Sequence, residues 1–347
     1  MNFLKKIILT VVALTTVASL SLTFIGCPPA APVAEEETTP EETTEAPPPA
    51  EEETTTEEET TPEGVPGPIT IGTKNFTEQF VVGKLMALLL EDRGFDVTLK
   101  EGMSSMIMRE AMEKGDIDLC MDYTGTLWLS YAEKLYQGET PEEIYEKAKA
   151  YDAEKGLIWL NPIWCNNTYA LAVTREFSEK NGVTTLSDLS EYVNENEGKV
   201  PFVTDFEFYA RPDGILGLEV LYGFAFHPDY ITTVLPGVTF EYLIRGDVDV
   251  CMVFGTDPIV VKYDWVVLED DKYFFPPYDL SPYVKEEVLE KYPQLEDILN
   301  ELITAFPQEP AAARAAMTEL NANVDIDKME PEAAAREWLI DKGLIEG

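Results

Sequence analysis

Histidine and cysteine are scarce in this chain, which removes much of the chemistry used by enzymes and metal sites. The single histidine, His227, lies in a turn-like Phe-His-Pro sequence, and four cysteines occur in 347 residues. After Cys27, no two of the remaining cysteines have the short spacing of a metal site, and three cannot all pair; they are Cys120, Cys165 and Cys251. We expect no metal, no cofactor and no histidine-based catalytic triad, and we interpret these three cysteines as buried free thiols.

Basic residues are also few. The chain has 25 Lys and Arg against 65 Asp and Glu, a net charge of −40. Nucleic-acid phosphates are bound by clustered Lys and Arg, so a nucleic-acid partner is excluded. The sequence carries no P-loop motif, and we expect no ATP hydrolysis by this chain.

An apolar run of about 20 residues, the length that a membrane span requires, is missing. The N-terminus instead has Lys5 and Lys6, an apolar stretch over residues 7–22, and Gly26-Cys27 a few residues later. This order predicts a bacterial lipoprotein signal peptide over 1–27, with Cys27 as the lipidated residue. The alternative is a cleaved secretory signal with an incidental cysteine. Either way we expect an extracytoplasmic protein, lipid-anchored to the membrane in the first case.

Residues 28–68 contain 13 Glu, many Thr and Pro, and no Lys or Arg. Such a segment cannot bury enough apolar surface to offset its ordering entropy, so we predict a disordered, extended tether. Lys5 and Lys6 contribute +2 and the 13 Glu contribute −13, which leaves about −29 for residues 69–347.

From residue 69 the pattern alternates between strands and helices. We predict strands over 69–72, 95–99 and 117–121, and helices that begin near Thr77 and Ser104. The segment from about 284 to the end is predicted to be mostly helical. Alternation of this kind favours an α/β fold with a largely parallel sheet.

A near-repeat links two parts of the chain. Residues 115–121 read GDIDLCM and residues 246–252 read GDVDVCM. Each copy is followed by an aromatic residue at the same offset, Tyr123 in one and Phe254 in the other. Ligands of open α/β sheets bind outside the carboxyl ends of strands, so we expect two related lobes that present these aromatics to one cleft.

The loop residues suit a quaternary ammonium ligand. Such a cation has no N–H to donate and is held by aromatic faces, while a carboxylate at the other end of a betaine needs cationic or hydroxyl donors. Tyrosines 123, 169 and 278 and the cations Lys74 and Arg211 lie in loop-like positions. The alternatives are ordinary core packing for the tyrosines and a local ion pair between Arg211 and Asp213.

Six motifs make the sequence resemble a known family. They are GTKNFTEQ (72–79), GDIDLCMDYTGT (115–126), NNTYALAV (166–173), FEFYARPDGILGLEVLYGF (206–224), GDVDVCMVFGTD (246–257) and DDKYFFPPYDLSPYV (270–284). Together they resemble the substrate-binding proteins of osmoprotectant ABC transporters, which take up glycine betaine, choline, carnitine and proline betaine.

The resemblance implies a two-lobed periplasmic-binding-protein type II fold with the ligand cleft between the lobes. Lobe I would be 69–171 plus 270–347 and lobe II 172–269, with hinge crossings near Ala172 and Glu269. By motif position, the ligand-binding residues would be Lys74, Tyr123, Thr126, Asn167, Tyr169, Arg211, Phe254 and Tyr278. The rings of Tyr123, Tyr169, Phe254 and Tyr278 would form the cage, and Lys74, Thr126 and Arg211 would grip a carboxylate. Residues 255–260 and Phe254 depart from the family's usual sequence.

The expected function is a monomeric binding protein that delivers a betaine to a membrane permease and is not an enzyme. Preference for choline, carnitine or proline betaine stays open, as does a sensory surface lipoprotein that uses the same cleft. A carboxylate-based glycosidase is a further class, but no acidic pair stands out for it.

Overall fold

The computed structural model describes residues 66–347, so Cys27, the predicted signal peptide and nearly all of the predicted tether lie outside the described residues. Ten strands form two five-stranded sheets. The strands are β1 Pro68–Lys74, β2 Asp96–Met103, β3 Leu119–Tyr123, β4 Leu157–Trp159, β5 Tyr169–Val173, β6 Phe202–Asp205, β7 Ile231–Val234, β8 Val250–Phe254, β9 Val266–Val267 and β10 Leu280–Lys285.

Helices connect the strands and cover the sheets. They are α1 Thr77–Asp92, α2 Ser105–Lys114, α3 Thr124–Thr126, α4 Pro141–Ala153, α5 Arg175–Asn181, α6 Leu186–Glu195, α7 Phe206–Ala210, α8 Ile215–Tyr222, α9 Thr239–Arg245, α10 Pro258–Lys262, α11 Glu286–Lys291, α12 Gln294–Ala305, α13 Pro310–Asp325 and α14 Pro331–Asp341. A π-helical turn, Leu127–Tyr131, follows α3, and a 3₁₀ turn, Pro228–Tyr230, precedes β7.

The first sheet has the order β2-β1-β3-β10-β4. β1 pairs parallel with β2 and with β3, whereas β10 pairs antiparallel with both β3 and β4. β4 therefore runs in the same direction as β1, β2 and β3, and the prediction of a largely parallel sheet holds for four of the five strands. Only β10 is reversed, because the chain comes back from the second sheet and enters the first one in the opposite direction.

The second sheet repeats this arrangement with the order β7-β6-β8-β5-β9. β6 pairs parallel with β7 and β8, and β5 pairs antiparallel with β8 and β9. β3 and β8, the strands of the near-repeat, thus hold the same place in their respective sheets. The prediction that the repeat marks two units of related build is confirmed.

α1 and the C-terminal helices contribute many residues to the largest of three buried apolar clusters. α1 buries an apolar face made of residues such as Val81, Leu85 and Leu89, as its helical spacing predicts, and α12 and α13 bury Leu299, Leu302 and Met317. α2 begins as predicted: the Ser104 side chain accepts a hydrogen bond from the Ile107 N–H. All three cysteines of the described part are buried free thiols, as the sequence indicated.

The chain crosses between the sheets twice, and the crossings are bonded to each other. The Asn167 N–H donates to the Tyr278 carbonyl (2.9 Å), and the Tyr278 N–H donates to Asn166 Oδ1 (2.9 Å). The Asn166 N–H donates in turn to Asp279 Oδ1 (2.9 Å). Asn166 has φ +40°, a left-handed conformation that asparagine tolerates better than most residues. The first crossing is this polar segment just before β5, and Ala172 itself lies inside β5.

Candidate functional site

One pocket between the two sheets is lined by every residue that the sequence placed in the ligand site. It lies at the ends of the central strands and is nearly closed, with a cavity volume of about 30 Å³ against the about 300–1,000 Å³ typical of small-molecule sites. The predicted residues on its wall are Lys74, Tyr123, Thr126, Asn167, Tyr169, Arg211, Phe254 and Tyr278. Six further residues complete the lining: Asn75, Phe76, Ser105, Asp205, Glu207 and Pro236.

Aromatic rings from both sheets form a continuous wall. Tyr169 pairs with Phe254 across β5 and β8, with ring centroids 5.2 Å apart, and meets Tyr278 edge-on at 5.7 Å. Phe76 stacks between Phe254 (5.1 Å) and Tyr123 (6.2 Å) and so joins the two sheets. Sequence reasoning missed Phe76, although it lies within the motif GTKNFTEQ; its position two residues after the end of β1 was the available signal.

Lys74 is held by a buried partner. Its Nζ donates to Asp122 Oδ1 (2.5 Å) and lies 5.0 Å from the centroid of the Tyr123 ring. Asp122 also accepts from the Tyr131 hydroxyl (2.8 Å). The positive charge at this end of the pocket is therefore already matched by an internal carboxylate.

Arg211 is matched in the same way. Its Nε donates to Asp213 Oδ1 (2.8 Å) and its Nη2 donates to the other Asp213 oxygen, so the local ion pair raised as an alternative is present. The guanidinium lies 5.4 Å from the Tyr169 ring and donates to Thr126 Oγ1 at 3.4 Å. Burial acts to raise the pKa of Asp213, but the adjacent Arg211 charge and the Tyr278 hydroxyl hold that pKa below its ordinary 3.8.

Glu78 is the second residue that sequence reasoning missed. It is 2% exposed and lies behind the aromatic wall. Its Oε1 accepts from the Tyr123 hydroxyl (2.7 Å) and Asn167 Nδ2 (3.0 Å), and its Oε2 accepts from Thr256 Oγ1 (2.6 Å) and Asn321 Nδ2 (3.2 Å). Burial raises the pKa of Glu78, and the four hydrogen bonds offset part of that rise. The Glu78 carboxyl thus links residues of both sheets and of the C-terminal helix α13. Two of its four partners, Tyr123 and Asn167, line the pocket.

With this geometry in place, comparisons with known proteins identify the family. Residues 67–341 match the family described as the substrate-binding domain of ABC-type glycine betaine transport systems, OpuAC. The chain belongs to the OpuAC family. The family is extracytoplasmic and non-enzymatic, so the chain is a substrate-binding component of an ABC importer, and the expectation that it is not an enzyme is confirmed.

Individual relatives agree with this assignment. A glycine-betaine-binding protein of Pseudomonas aeruginosa is 34% identical over 286 residues, which cover 80% of this chain and 89% of that protein. An ergothioneine transport permease/ergothioneine binding protein of Helicobacter pylori is 30% identical, over 80% of this chain and 48% of that protein. The solved structure of a glycine betaine/carnitine/choline ABC transporter protein superposes with a TM-score of 0.62 at 26% identity, covering 80% of this chain and 99% of that one.

The fold is therefore the two-lobed periplasmic-binding-protein type II arrangement that the sequence predicted, with the pocket between the lobes. Within residues 66–347, no cluster of three or more His, Cys, Asp or Glu has an arrangement that could hold a metal ion. Among the same residues, no helix is long and apolar enough to cross a membrane.

Two further carboxyls near the pocket of this OpuAC-family chain have unusual pKa values. Asp205 ends β6, lines the pocket and accepts from the Phe208 N–H (2.7 Å), and Asp279 lies at the second crossing. Burial raises the pKa of each from 3.8 to about 6. Both carboxyls therefore bind protons in the folded state at pH values where the unfolded chain has released them.

Lowering the pH from 7 to 5 should stabilise the fold, and Asp205 and Asp279 together should contribute about 2 kcal/mol of the gain. In this window unfolding releases protons from Asp205 and Asp279, so the free energy of unfolding falls as the pH rises, by about 1 kcal/mol for each group. Carboxyls whose pKa is lowered, such as Asp213, begin to lose their stabilising effect only below about pH 4. Urea unfolding at pH 5 and pH 7 measures the difference. Asp279→Asn should remove about 1 kcal/mol of it, and a fold that is weaker at pH 5 would contradict the assignment.

Proposed function

We propose that the ligand is a small quaternary ammonium compound that carries a carboxylate, of the glycine betaine type. The observation that carries this proposal is the meeting of four predicted cage rings from both sheets in one pocket with Lys74, Thr126 and Arg211. Each aromatic face contributes about 0.5–2 kcal/mol to binding such a cation.

The carboxylate end of the ligand would meet Lys74, Thr126 and Arg211. The two cations are already paired with Asp122 and Asp213, so a ligand carboxylate would share donors rather than neutralise free charges. We infer that the aromatic cage supplies most of the affinity and that the cations mainly orient the ligand. The name of the Pseudomonas relative, a glycine-betaine-binding protein, supports a betaine-type ligand.

Choline is the second candidate. The pairing of Lys74 and Arg211 with buried aspartates favours it, because these two cations already have partners. A ligand without a carboxylate would leave neither of them unpaired. Under either ligand, the lobes would close around it by rotation at the crossings, and the closed form would dock on a separate membrane permease.

The remaining expectations are proposals of the same kind. We propose two lobes that meet at the crossings beside Asn166 and Asp279, so that all of β5 belongs to lobe II, together with a monomeric state and a membrane anchor through lipidated Cys27. The order of features at the N-terminus supports the anchor: two lysines, then an apolar run, then Gly-Cys. Incorporation of radiolabelled palmitate in wild type and its loss in Cys27→Ala would test it.

Titration calorimetry with glycine betaine, proline betaine, carnitine, choline and proline tests the ligand. We expect one of the betaines to bind most tightly and proline, which lacks a quaternary nitrogen, to bind weakest. Arg211→Met should weaken the betaine by about tenfold and choline by much less, because only the betaine contacts Arg211 through a carboxylate.

Arg175→Met is the matched control, since Arg175 is half exposed and pairs with Asp264 on the surface of lobe II. It should leave all five affinities unchanged. Choline as the tightest ligand would replace the betaine proposal by the second candidate. No heat with any of the five compounds would mean that the ligand belongs to another chemical class.

A further inference from the structure

The two lobes touch directly at a point that the predicted ligand set does not include. Ser105 is the first residue of α2 in lobe I, and Glu207 lies in α7 of lobe II. Glu207 Oε1 accepts from the Ser105 N–H (2.6 Å), and Oε2 accepts from the Ser105 hydroxyl (2.7 Å). Both residues line the pocket.

This contact is far from the hinge crossings. Ser105 follows β2, which is three strands away from β10, and Glu207 follows β6, which is two strands away from β5. At about 4.8 Å per strand, these separations are about 14 Å and 10 Å. In a rotation about the crossings, displacement grows with distance from the axis, so this contact separates early when the cleft opens.

The contact is also chemically strong. A carboxylate that accepts from an N–H at the start of a ten-residue helix is stabilised by the hydrogen bond and by the helix dipole. Ser104 caps the Ile107 N–H, which leaves the Ser105 N–H for the carboxylate from the other lobe. Arg211 Nη1 lies 3.5 Å from Glu207 Oε2.

The charges around Glu207 keep it ionised. Burial acts to raise its pKa, but Lys74, Arg211 and the two Ser105 donors together hold that pKa below the ordinary 4.5. At neutral pH the group is therefore an acceptor for both Ser105 donors.

We propose that Glu207 is a positioning residue for ligand binding, which holds the mouth of the cleft shut by capping α2 of the opposite lobe. The inference rests on the proposed closing motion and adds to it a contact that acts on the lobes rather than on the ligand. It predicts that removing the contact shifts the chain toward the open form whichever quaternary ammonium compound is the ligand.

Two variants break the contact from opposite sides. Glu207→Ala removes the acceptor, and Ser105→Pro removes both donors at a helix position where proline is favoured. Ser104 has φ −73° and ψ 161°, a conformation compatible with a following proline, so α2 should still form. The double variant completes a cycle in which the second change should add little to the first.

Small-angle scattering of the full chain and stopped-flow release of glycine betaine measure the outcome. We expect a larger radius of gyration in both single variants and release about tenfold faster than in wild type, with association changed much less. Glu219→Gln is the control: Glu219 Oε1 accepts from the Phe226 N–H (2.8 Å) within lobe II, and this variant should match wild type.

An unchanged radius of gyration and release rate in Glu207→Ala would overturn the proposal, as would fully additive effects in the double variant. Tighter glycine betaine binding by Glu207→Ala would also overturn it, because Glu207 would then compete with the ligand carboxylate. If the wild type binds no quaternary ammonium compound, the proposed function fails, but the scattering measurement still tests the closing role. A larger radius of gyration in Glu207→Ala than in wild type supports that role, and an unchanged radius refutes it.

Discussion

Replacing Glu78 by leucine should lower the free energy of unfolding by about 3 kcal/mol. Four donors converge on this carboxyl, and each buried donor left without an acceptor costs about 1–3 kcal/mol. Part of that loss is recovered, because the variant no longer buries a carboxyl, whose desolvation is reflected in its raised pKa. Urea unfolding at pH 7 measures the change.

Two controls make the Glu78 result specific. Glu78→Gln keeps an acceptor oxygen and nearly the same volume, and it should cost clearly less than the leucine variant. Glu91→Leu changes an exposed glutamate on the same helix and should stay within about 0.5 kcal/mol of wild type. A leucine variant as stable as Glu91→Leu would mean that the four donors find other acceptors, so Glu78 would not be the centre of this network.

Tyr169→Ala should weaken betaine binding more than any other single ring replacement, by about 30-fold or more. The Tyr169 ring contacts Phe254 and Tyr278, and Arg211 lies over it, so its loss removes one cage face and the packing of two others. A cation–aromatic contact of about 2 kcal/mol corresponds to about 30-fold in affinity. Titration calorimetry on folded protein, with thermal unfolding as a check, gives the value.

Tyr169→Phe is the matched variant, because it keeps the ring and removes the hydroxyl; its affinity should stay within about threefold of wild type. Tyr123→Ala should also weaken binding strongly, since Tyr123 is the cage ring contributed by the first sheet. Wild-type affinity in Tyr169→Ala would place the quaternary nitrogen elsewhere in the pocket and would remove the cage from the proposal.

The sequence predicted the parts of this site that depend on local order. Predicted positions just after strands identified Lys74 and Tyr123, which the structure shows to be the last residues of β1 and β3. The spacing of the near-repeat placed Phe254 in the same role as Tyr123. Motif positions supplied Asn167 and Thr126. All of these side chains line one pocket, because strands in equivalent sheet positions end at the same edge.

The parts that the sequence did not predict depend on contacts between distant segments. Glu78 was interpreted only as a helix-start residue, since its partners come from four separate places in the chain. The direction of β10 was missed because a strand's sequence does not state which way it runs in the sheet. The Lys74–Asp122 pair could not be read from a separation of 48 residues.

The matched order of the two sheets has a consequence for how a ligand is oriented. Gly72 faces Cys120 in the first sheet and Val203 faces Cys251 in the second, so Lys74 and Asp205 occupy equivalent positions two residues further on. By the same register Tyr123 corresponds to Phe254, and Tyr278 to Asn167. A cleft with true twofold symmetry would accept a molecule equally well in either direction. Here the two members of each pair differ chemically. Lys74 is an amine and Asp205 an acid, Tyr123 is a phenol and Phe254 a plain ring, and Tyr278 is a phenol and Asn167 an amide. The two halves of the pocket therefore have the same backbone arrangement but different side chains. A ligand with two different ends has one favoured orientation between them.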